Sequence, residues 1–487
     1  MELNISRSEL KAAVAGLSRI IPSKVTLPIL GGVRFNTDEN GTVTCSATDL
    51  EQTATYRFVN TTGIEVGTMV LPLPALKELT KGSDREHVLF RVEGQQVTVT
   101  NHVGGHAIQF TLNSMDPQEW PENAKPVPCK PAEGFLDVYR RLLPFASTDQ
   151  TRYAINHICV DVTGKGERPV AMVAVDGRRL SVWNSMQFDL KRSILVPTSR
   201  FLAWTGLTGK VEMGVREEVT AKRGKTPESR KAWFGLKVGS WEYVVREPDA
   251  TFPNWRQVIP DYSAEPTKVQ CCVFTDADAE ALRKILPGFP GHDGYNAAIV
   301  LVGAPDGRLI ISGRDKDAKQ DTVLSLTGGS RYEGAGGQIG INRDYLLDAL
   351  AAGFRTFSYM DQMSPLVSHD QKGGTHVVMP VRVEHEATAE VPPTPPAVQE
   401  PNENVPATVA GVTETQKEND MPEKTEDGAM DKVLLALETA RSKLRDATGS
   451  LSEVADAVKA AVREGKAQSV DLEKARATLQ KLQAISL

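Results

Sequence analysis

No apolar run in this 487-residue chain reaches the length of about 18 residues that a membrane-spanning helix needs. The opening Met1-Glu2-Leu3-Asn4-Ile5-Ser6-Arg7 lacks the basic and apolar regions of a secretion signal, so a cytoplasmic protein with no membrane partner is expected. Cysteine is scarce. Cys45, Cys129, Cys159, Cys271 and Cys272 form no C-x-x-C pair, and three of them sit in apolar, strand-like runs, so neither a disulfide nor a zinc site is expected. An excess of one charge sign is also missing from most of the chain. Residues 1–385 carry 44 acidic and 44 basic side chains, against 18 and 12 in 386–487. Any affinity for nucleic acid must therefore come from a local arrangement of Lys and Arg.

Signatures of catalysis are absent as well. Gly224-Lys225-Thr226 resembles the end of a phosphate-binding loop, but Val219 stands where the first glycine belongs. His102 and His106 flank Val103-Gly104-Gly105 with no third metal ligand nearby, and no G-x-S-x-G elbow occurs. No catalytic residue, metal or cofactor is expected.

What is present is a threefold repetition. Ile20-Ile21-Pro22, Leu142-Leu143-Pro144 and Ile285-Leu286-Pro287 each end a helical stretch. About 30 residues after each, an aspartate closes an apolar strand: Asp49, Asp176 and Asp315. The period of roughly 120 to 145 residues is the size of a domain rather than of a solenoid unit. Apolar periodicity predicts two helices among about eight strands in each copy, an α+β pattern. The predicted helices are Ser6–Ile21, a short one through Leu76 and Leu79, Gly134–Leu143, Thr198–Leu207, Asp276–Leu286 and Arg343–Ala352. Proline-rich text near Pro117–Pro121 and Pro248–Pro253 divides the copies into 1–126, 127–262 and 263–384. Each strand-end aspartate reads as a carboxylate accepting turn N–H bonds. The basic stretch 214–233 reads as a solvated hairpin tip, with a DNA contact as the alternative.

From 385 to 429 the text turns to Pro, Glu, Thr and Val with a net charge of about −8, the composition of a disordered linker. Leucine and valine at helical spacing in 430–487, with the capping box Ser450-Leu451-Ser452-Glu453, predict a small α-helical module that needs self-association or a partner.

Six motifs fall in order along the body: Thr26–Leu30 with Ala47–Glu51, Gln150–Asn156, Asp176–Leu180, Phe252–Arg256 and Val377–Arg382. In order and spacing this text resembles the bacterial sliding clamp, the beta subunit of DNA polymerase III, over about residues 1–384. The resemblance implies three tandem DNA-clamp (processivity fold) domains forming half of a six-domain ring, closed head to tail by a homodimer around duplex DNA. It implies DNA contacts at Lys24, Arg152 and Tyr153. Helix-borne cations such as Lys77, Lys81 and Arg200, along with Arg7, Lys11, Arg140, Arg141, Arg283, Lys284 and Arg343, would meet phosphates through water. It implies a hydrophobic pocket for short peptides of the polymerase, the clamp loader and repair proteins, lined by Ile155, Val175, Gly177, Arg178, Arg179, Leu180, Pro253, Val258, Met363, Val377, Met379, Pro380, Val381 and Arg382. It implies a dimer interface in which Ile108 and Phe110 face Ile285 and Leu286. Two departures stand out: Ala154 where the family often has a second aromatic, and Val175 where it commonly has a hydroxyl. The family commonly stops at the residue matching Val383, so the long extension is extra, free to tether a partner, cover the pocket or self-associate. The rival expectation is a clamp paralogue that does not close and acts as a peptide-binding adaptor through its tail.

Overall fold

The computed structural model describes residues 1–382 except 64, 123, 163–169, 221–228, 292–295, 316–317 and 319. The expected linker, the helical module and Gly224–Thr226 lie outside the described residues.

Among the described residues five α-helices stand among the strands: α1 (Arg7–Leu17), α2 (Leu73–Leu79), α3 (Phe135–Leu142), α4 (Asp276–Ile285) and α5 (Arg343–Ala351). Their starts follow from local chemistry. Ser6, Thr275 and Asn342 accept hydrogen bonds from the backbone N–H of Glu9, Asp278 and Asp344, capping α1, α4 and α5. At the other end of α5, Gly353 takes a positive φ while Phe354 N donates to Ala349 O, a left-handed cap that only glycine adopts without strain. The α1 face built from Leu10, Val14 and Leu17 is buried, as its spacing predicts.

The sixth expected helix, Thr198–Leu207, is a succession of turns. Gly206 and Gly209 lower helix propensity there. The guanidinium of Arg140 donates to the carbonyls of Trp204 and Leu207, holding the turns open. Pro28 presets the first residue of a 3₁₀ turn, Pro28–Gly31, which leads into the strand Gly32–Thr37.

The strands form four antiparallel sheets. Two of them run across copies. Strand Gln52–Thr62 of the first copy pairs with Trp241–Arg246 of the second (Gln52↔Val245, Tyr56↔Trp241), giving an eight-stranded sheet. Strand Arg179–Met186 of the second pairs with Gly374–Val378 of the third (Arg179↔Val378, Leu180↔Val377), giving a nine-stranded sheet. Two four-stranded sheets are left over, one in the first copy ending at His106–Asn113 and one in the third ending at Thr322–Ser325. Strands Val211–Thr220 and Ser229–Val238 pair from end to end, so the basic stretch 214–233 includes the stem of a hairpin.

The two junctions are packed differently. At the first, Trp241 meets Tyr56, Phe201 and Trp204 with ring centroids 4.8, 5.2 and 5.9 Å away. Gly16 of α1 lies against this cluster, where a Cβ would sit 2.3 Å from Trp241 Cη2. At the second, Arg179 is the brace. It donates to Asp176 (2.8 Å), Asp348 (2.7 Å) and Pro144 O (2.5 Å), and lies over the rings of Tyr345 and Phe145. Next to it His376 is fully buried, bonded to Ser181 Oγ at 2.7 Å and stacked on Phe354. Burial and the nearby Arg179 charge push the His376 pKa down to about 3, so the ring is neutral.

Candidate functional site

Two strand-end aspartates shape equivalent turns. Asp49 Oδ1 accepts from the backbone N–H of Glu51 and Gln52, and Asp176 Oδ1 from those of Arg178 and Arg179. Asp315 differs, accepting from Gly291 N across the domain. After the second turn, Arg178 O receives Met379 N at 2.9 Å, which fixes the segment Met379–Arg382 beside Gly177 and Arg178. Val381 N donates to Gly340 O.

This edge of the second junction presents apolar side chains to solvent. Met379 is 44% exposed, Val258 50% and Met363 65%, while Val175 and Ile155 are half-buried. Exposed thioethers next to branched aliphatics make a surface that adapts to varied apolar anchors. The segment 250–262 lies across the sheet and is tied down by polar contacts. Trp255 Nε1 and Arg256 donate to Asp161 Oδ2 at 2.9 and 2.7 Å, and Tyr262 OH donates to Pro365 O.

Three expected lining residues play another part. Leu180 and Val377 are core, packed with Cys159, Val173, Leu195, Trp255 and Val367, because the paired strands turn them under the 250–262 segment. Arg179 is the junction brace, its side chain 8% exposed. Pro253, Gly177, Arg178 and Arg382 are exposed, and Pro380 and Val381 half-buried. Arg178 donates to Asn296.

Six of the expected DNA contacts, Lys24, Lys77, Lys81, Arg152, Tyr153 and Arg200, are on the surface. Lys24, Lys77 and Arg200 are exposed, Lys81 pairs with Glu78, Arg152 lies 3.5 Å from Asp149, and Tyr153 is 68% exposed. Arg200 approaches Arg19, whose pKa is lowered by burial and then by the Arg200 charge. Arg19 falls inside the expected helix Ser6–Ile21 but was not singled out from sequence; it follows the end of α1, and its guanidinium also sits 4.8 Å over Trp204. Three helix-borne cations are corrected. Arg7 is fully buried, bonded to Leu79 O, Lys81 O, Asn101, His102 O and Glu86. Arg343 is buried on Phe289 O, and Arg140 holds the 198–207 turns. Arg7 and Arg343 are buried within their own domains and have no surface to offer a phosphate, whereas Arg140 is half-buried with its guanidinium engaged by the carbonyls of Leu202, Trp204 and Leu207.

Among the expected interface residues, Ile108 (49%), Phe110 (37%) and Ile285 (39%) are exposed, whereas Leu286 is fully buried in the core of the third copy. The proline after it starts a 3₁₀ turn, Leu286–Gly288, that points the leucine inward.

Residues 1–124 match the family model of the DNA polymerase III beta subunit, N-terminal domain. The chain is 23% identical over 396 residues to the beta sliding clamp of Vibrio cholerae and 22% over 397 residues to that of Escherichia coli K12, in both cases covering 79% of this chain and all of the relative. Its fold is similar to a sliding clamp from Bartonella birtlesii bound to griselimycin (TM-score 0.63, 22% identity, 79% of this chain and 100% of that one). It is equally similar to the clamp from Bacillus subtilis (TM-score 0.63, 19% identity, 79% and 99%). The fold is that of the DNA sliding clamps. The first copy matches the model of the bacterial DNA polymerase III beta subunit, and the relatives similar to the whole body are beta sliding clamps. Among the described residues no helix is long and apolar enough to cross a membrane.

Proposed function

We propose that two copies of this chain close head to tail into a ring around duplex DNA and hold the replicative polymerase, its loader and repair proteins by short peptides docked at Met379. The observation that carries the reading is the left-over pair of four-stranded sheets. At the junction of the first and second copies, pairing of edge strands fuses two half-sheets of four strands into one of eight. His106–Asn113 is an eight-residue edge strand exposed at nearly every position, a template for the same kind of pairing. Its partner is the third copy's sheet in a second chain, with Ile108, Phe110 and Ile285 covered between them. Surface cations at Lys24, Lys77, Lys81, Arg152 and Arg200 meet the phosphates weakly, and topology retains the DNA.

The experiment is single-particle imaging of the full-length protein with its solution mass taken on the same sample. A two-chain toroid wide enough for duplex DNA is the expected result. A monomeric crescent at high concentration sinks the ring and leaves the peptide-binding adaptor. Replacing Met379 and Pro380 by alanine should abolish binding of polymerase-derived peptide and leave the ring intact.

A further inference from the structure

The first helical stretch of each copy ends in the same text, a cation followed by two branched aliphatics and a proline: Arg19-Ile20-Ile21-Pro22, Arg141-Leu142-Leu143-Pro144 and Lys284-Ile285-Leu286-Pro287. A positive side chain suits the negative end of a helix, so the repetition alone needs no ligand. The surroundings of the three differ, and the difference singles out Arg19.

Lys284 is neutralised within its own helix, 3.4 Å from Glu280, which also lies 3.6 Å from Arg283. Arg141 is exposed and lies over the ring of Trp183 at 5.9 Å. Arg19 has an indole as well, Trp204 at 4.8 Å, and among the described residues it has no carboxylate partner. One of its five N–H donors is bonded to the carbonyl of Ala15 in the last turn of α1, which holds the half-buried guanidinium against the indole.

What faces it is a second cation. Arg200 belongs to the turns that carry Trp204, where Ala203 N donates to Ser199 O and Trp204 N to Phe201 O. Its side chain is exposed and, among the described residues, makes no hydrogen bond or ion pair. The Arg200 charge adds to burial in lowering the Arg19 pKa, and no carboxylate acts against it. By contrast Lys11, Lys81 and Arg152 lie beside acids of their own domains, Asp84, Glu78 and Asp149. Two guanidiniums from different copies, brought together across the first junction with no acid between them, repel one another until an anion joins them.

We propose that Arg19 and Arg200 together form a direct site for the phosphodiester backbone of duplex DNA, spanning the joint between the first and second copies. The inference rests on the reading that the chain encircles duplex DNA, and it adds to that reading a residue and a mode of contact. Two planar guanidinium forks donate charge-assisted N–H···O bonds, where scattered surface cations offer only long-range attraction. Arg19 loses little freedom on binding, because Trp204 and the Ala15 carbonyl already hold it.

Fluorescence anisotropy of the full-length protein with a labelled twenty-base-pair duplex, followed as salt is raised, tests the site. Arg19→Gln and Arg200→Gln are each expected to weaken binding at least threefold, and the double variant to weaken it at least tenfold and lower the salt slope by about two. Arg19→Glu places a carboxylate beside Arg200 and should lose at least tenfold by itself. Melting curves accompany every variant, because Arg19 also packs on Trp204. Arg200→Gln removes no contact within the described chain and keeps the site testable if the Arg19 variants fold poorly. Wild-type affinity and slope in Arg200→Gln overturn the proposal. So does a loss confined to the Arg19 variants and matched by a lowered melting temperature, which makes Arg19 a packing residue. Weakened binding of a twenty-residue oligothymidylate with the duplex unaffected also overturns it, by assigning the site to single strands. Lys77→Gln on α2 reads the channel separately. A duplex weakened by Lys77→Gln and by neither arginine change refutes the junction site alone, whereas a wild-type protein that holds no duplex at low salt refutes the encircling reading beneath it.

Discussion

Replacing Gly16 by alanine reverses an ordinary rule. In a helix interior this exchange stabilises by about 1 kcal/mol through propensity alone. Here the added Cβ falls 2.3 and 2.5 Å from Trp241 Cη2 and Cζ2, and 2.9 Å from Trp204 Cζ3. Carbon atoms in contact lie about 3.5 to 4.0 Å apart, so the overlap exceeds 1 Å and cannot be absorbed by a small rotation. Trp241 is 6% exposed and ringed by Tyr56, Phe201 and Trp204, so its movement disturbs the whole first junction. Overpacking of this kind costs about 3 kcal/mol at the upper end of its usual range. The overlap therefore wins, and Gly16→Ala should destabilise by about 2 kcal/mol net. Tryptophan-monitored urea unfolding reads both the stability and the displaced indole. Trp241→Phe removes the two clashing atoms. In that background Gly16→Ala should become neutral or stabilising, a coupling of about 2 to 3 kcal/mol between the sites. A Gly16→Ala variant more stable than the wild type, or one with the same cost in both backgrounds, would refute the account of the junction.

Other outcomes follow from the same structure. His376 is held far below its ordinary value of about 6.5, so the unfolded chain takes up this proton first. Its contribution is fully present above that pH and lost as pH falls towards about 3. His376→Gln should flatten the stability slope between pH 7 and 5, by up to about 1.4 kcal/mol per pH unit, and an unchanged slope in urea titrations contradicts the assignment. Ile108→Ala should remove about 1 kcal/mol at each of two interfaces, raising the dimer dissociation constant about 30-fold in sedimentation experiments. Leu286→Ala should cost about 2 to 5 kcal/mol of folding stability, since Leu286 is core. Removing the Lys77, Lys81 and Arg200 charges together should lower the salt slope of binding to a short linear duplex by up to about three, and an unaltered slope places the DNA elsewhere. Leu50 has a φ of +82°, so Leu50→Gly should leave stability unchanged or raise it by about 0.5 kcal/mol, relief of the left-handed leucine slightly exceeding the entropy of the added glycine.

Much of the fold could be read from the amino acids because it depends on local pattern. Periodicity located five helices to within a few residues, and alternation located most of the strands. It misplaced Thr198–Leu207, where the deciding group is the side chain of Arg140, 64 residues away from the Trp204 carbonyl it holds. Burial of individual cations was equally hidden. Arg7 opens a helix and reads as a surface charge, yet the carbonyls of Leu79, Lys81 and His102 converge on it from elsewhere in the chain. At the proposed docking edge Met363, Met379 and Val258 are exposed, but alternation alone did not reveal that Leu180 and Val377 face the segment 250–262.

The two internal junctions bear on where the proposed ring would part. Each pairs five residues across the boundary, and each adds something beyond the sheet: an indole cluster closed over Gly16 at the first, a buried arginine between two carboxylates at the second. Both are also covalently continuous, so separating them costs ordered packing within one chain. The contact between chains has neither device on the first-copy side. Strand His106–Asn113 offers mainly Ile108 and Phe110, each already partly covered, and Leu286 is spent on its own core. A ring made of these three kinds of junction is expected to open at the one between chains, the one place where the chain is not continuous across the pairing. Strengthening it, by a cysteine pair across the two edge strands, should trap circular DNA on the protein and prevent loading of new DNA, whereas the same crosslink placed across the first internal junction should leave both unchanged.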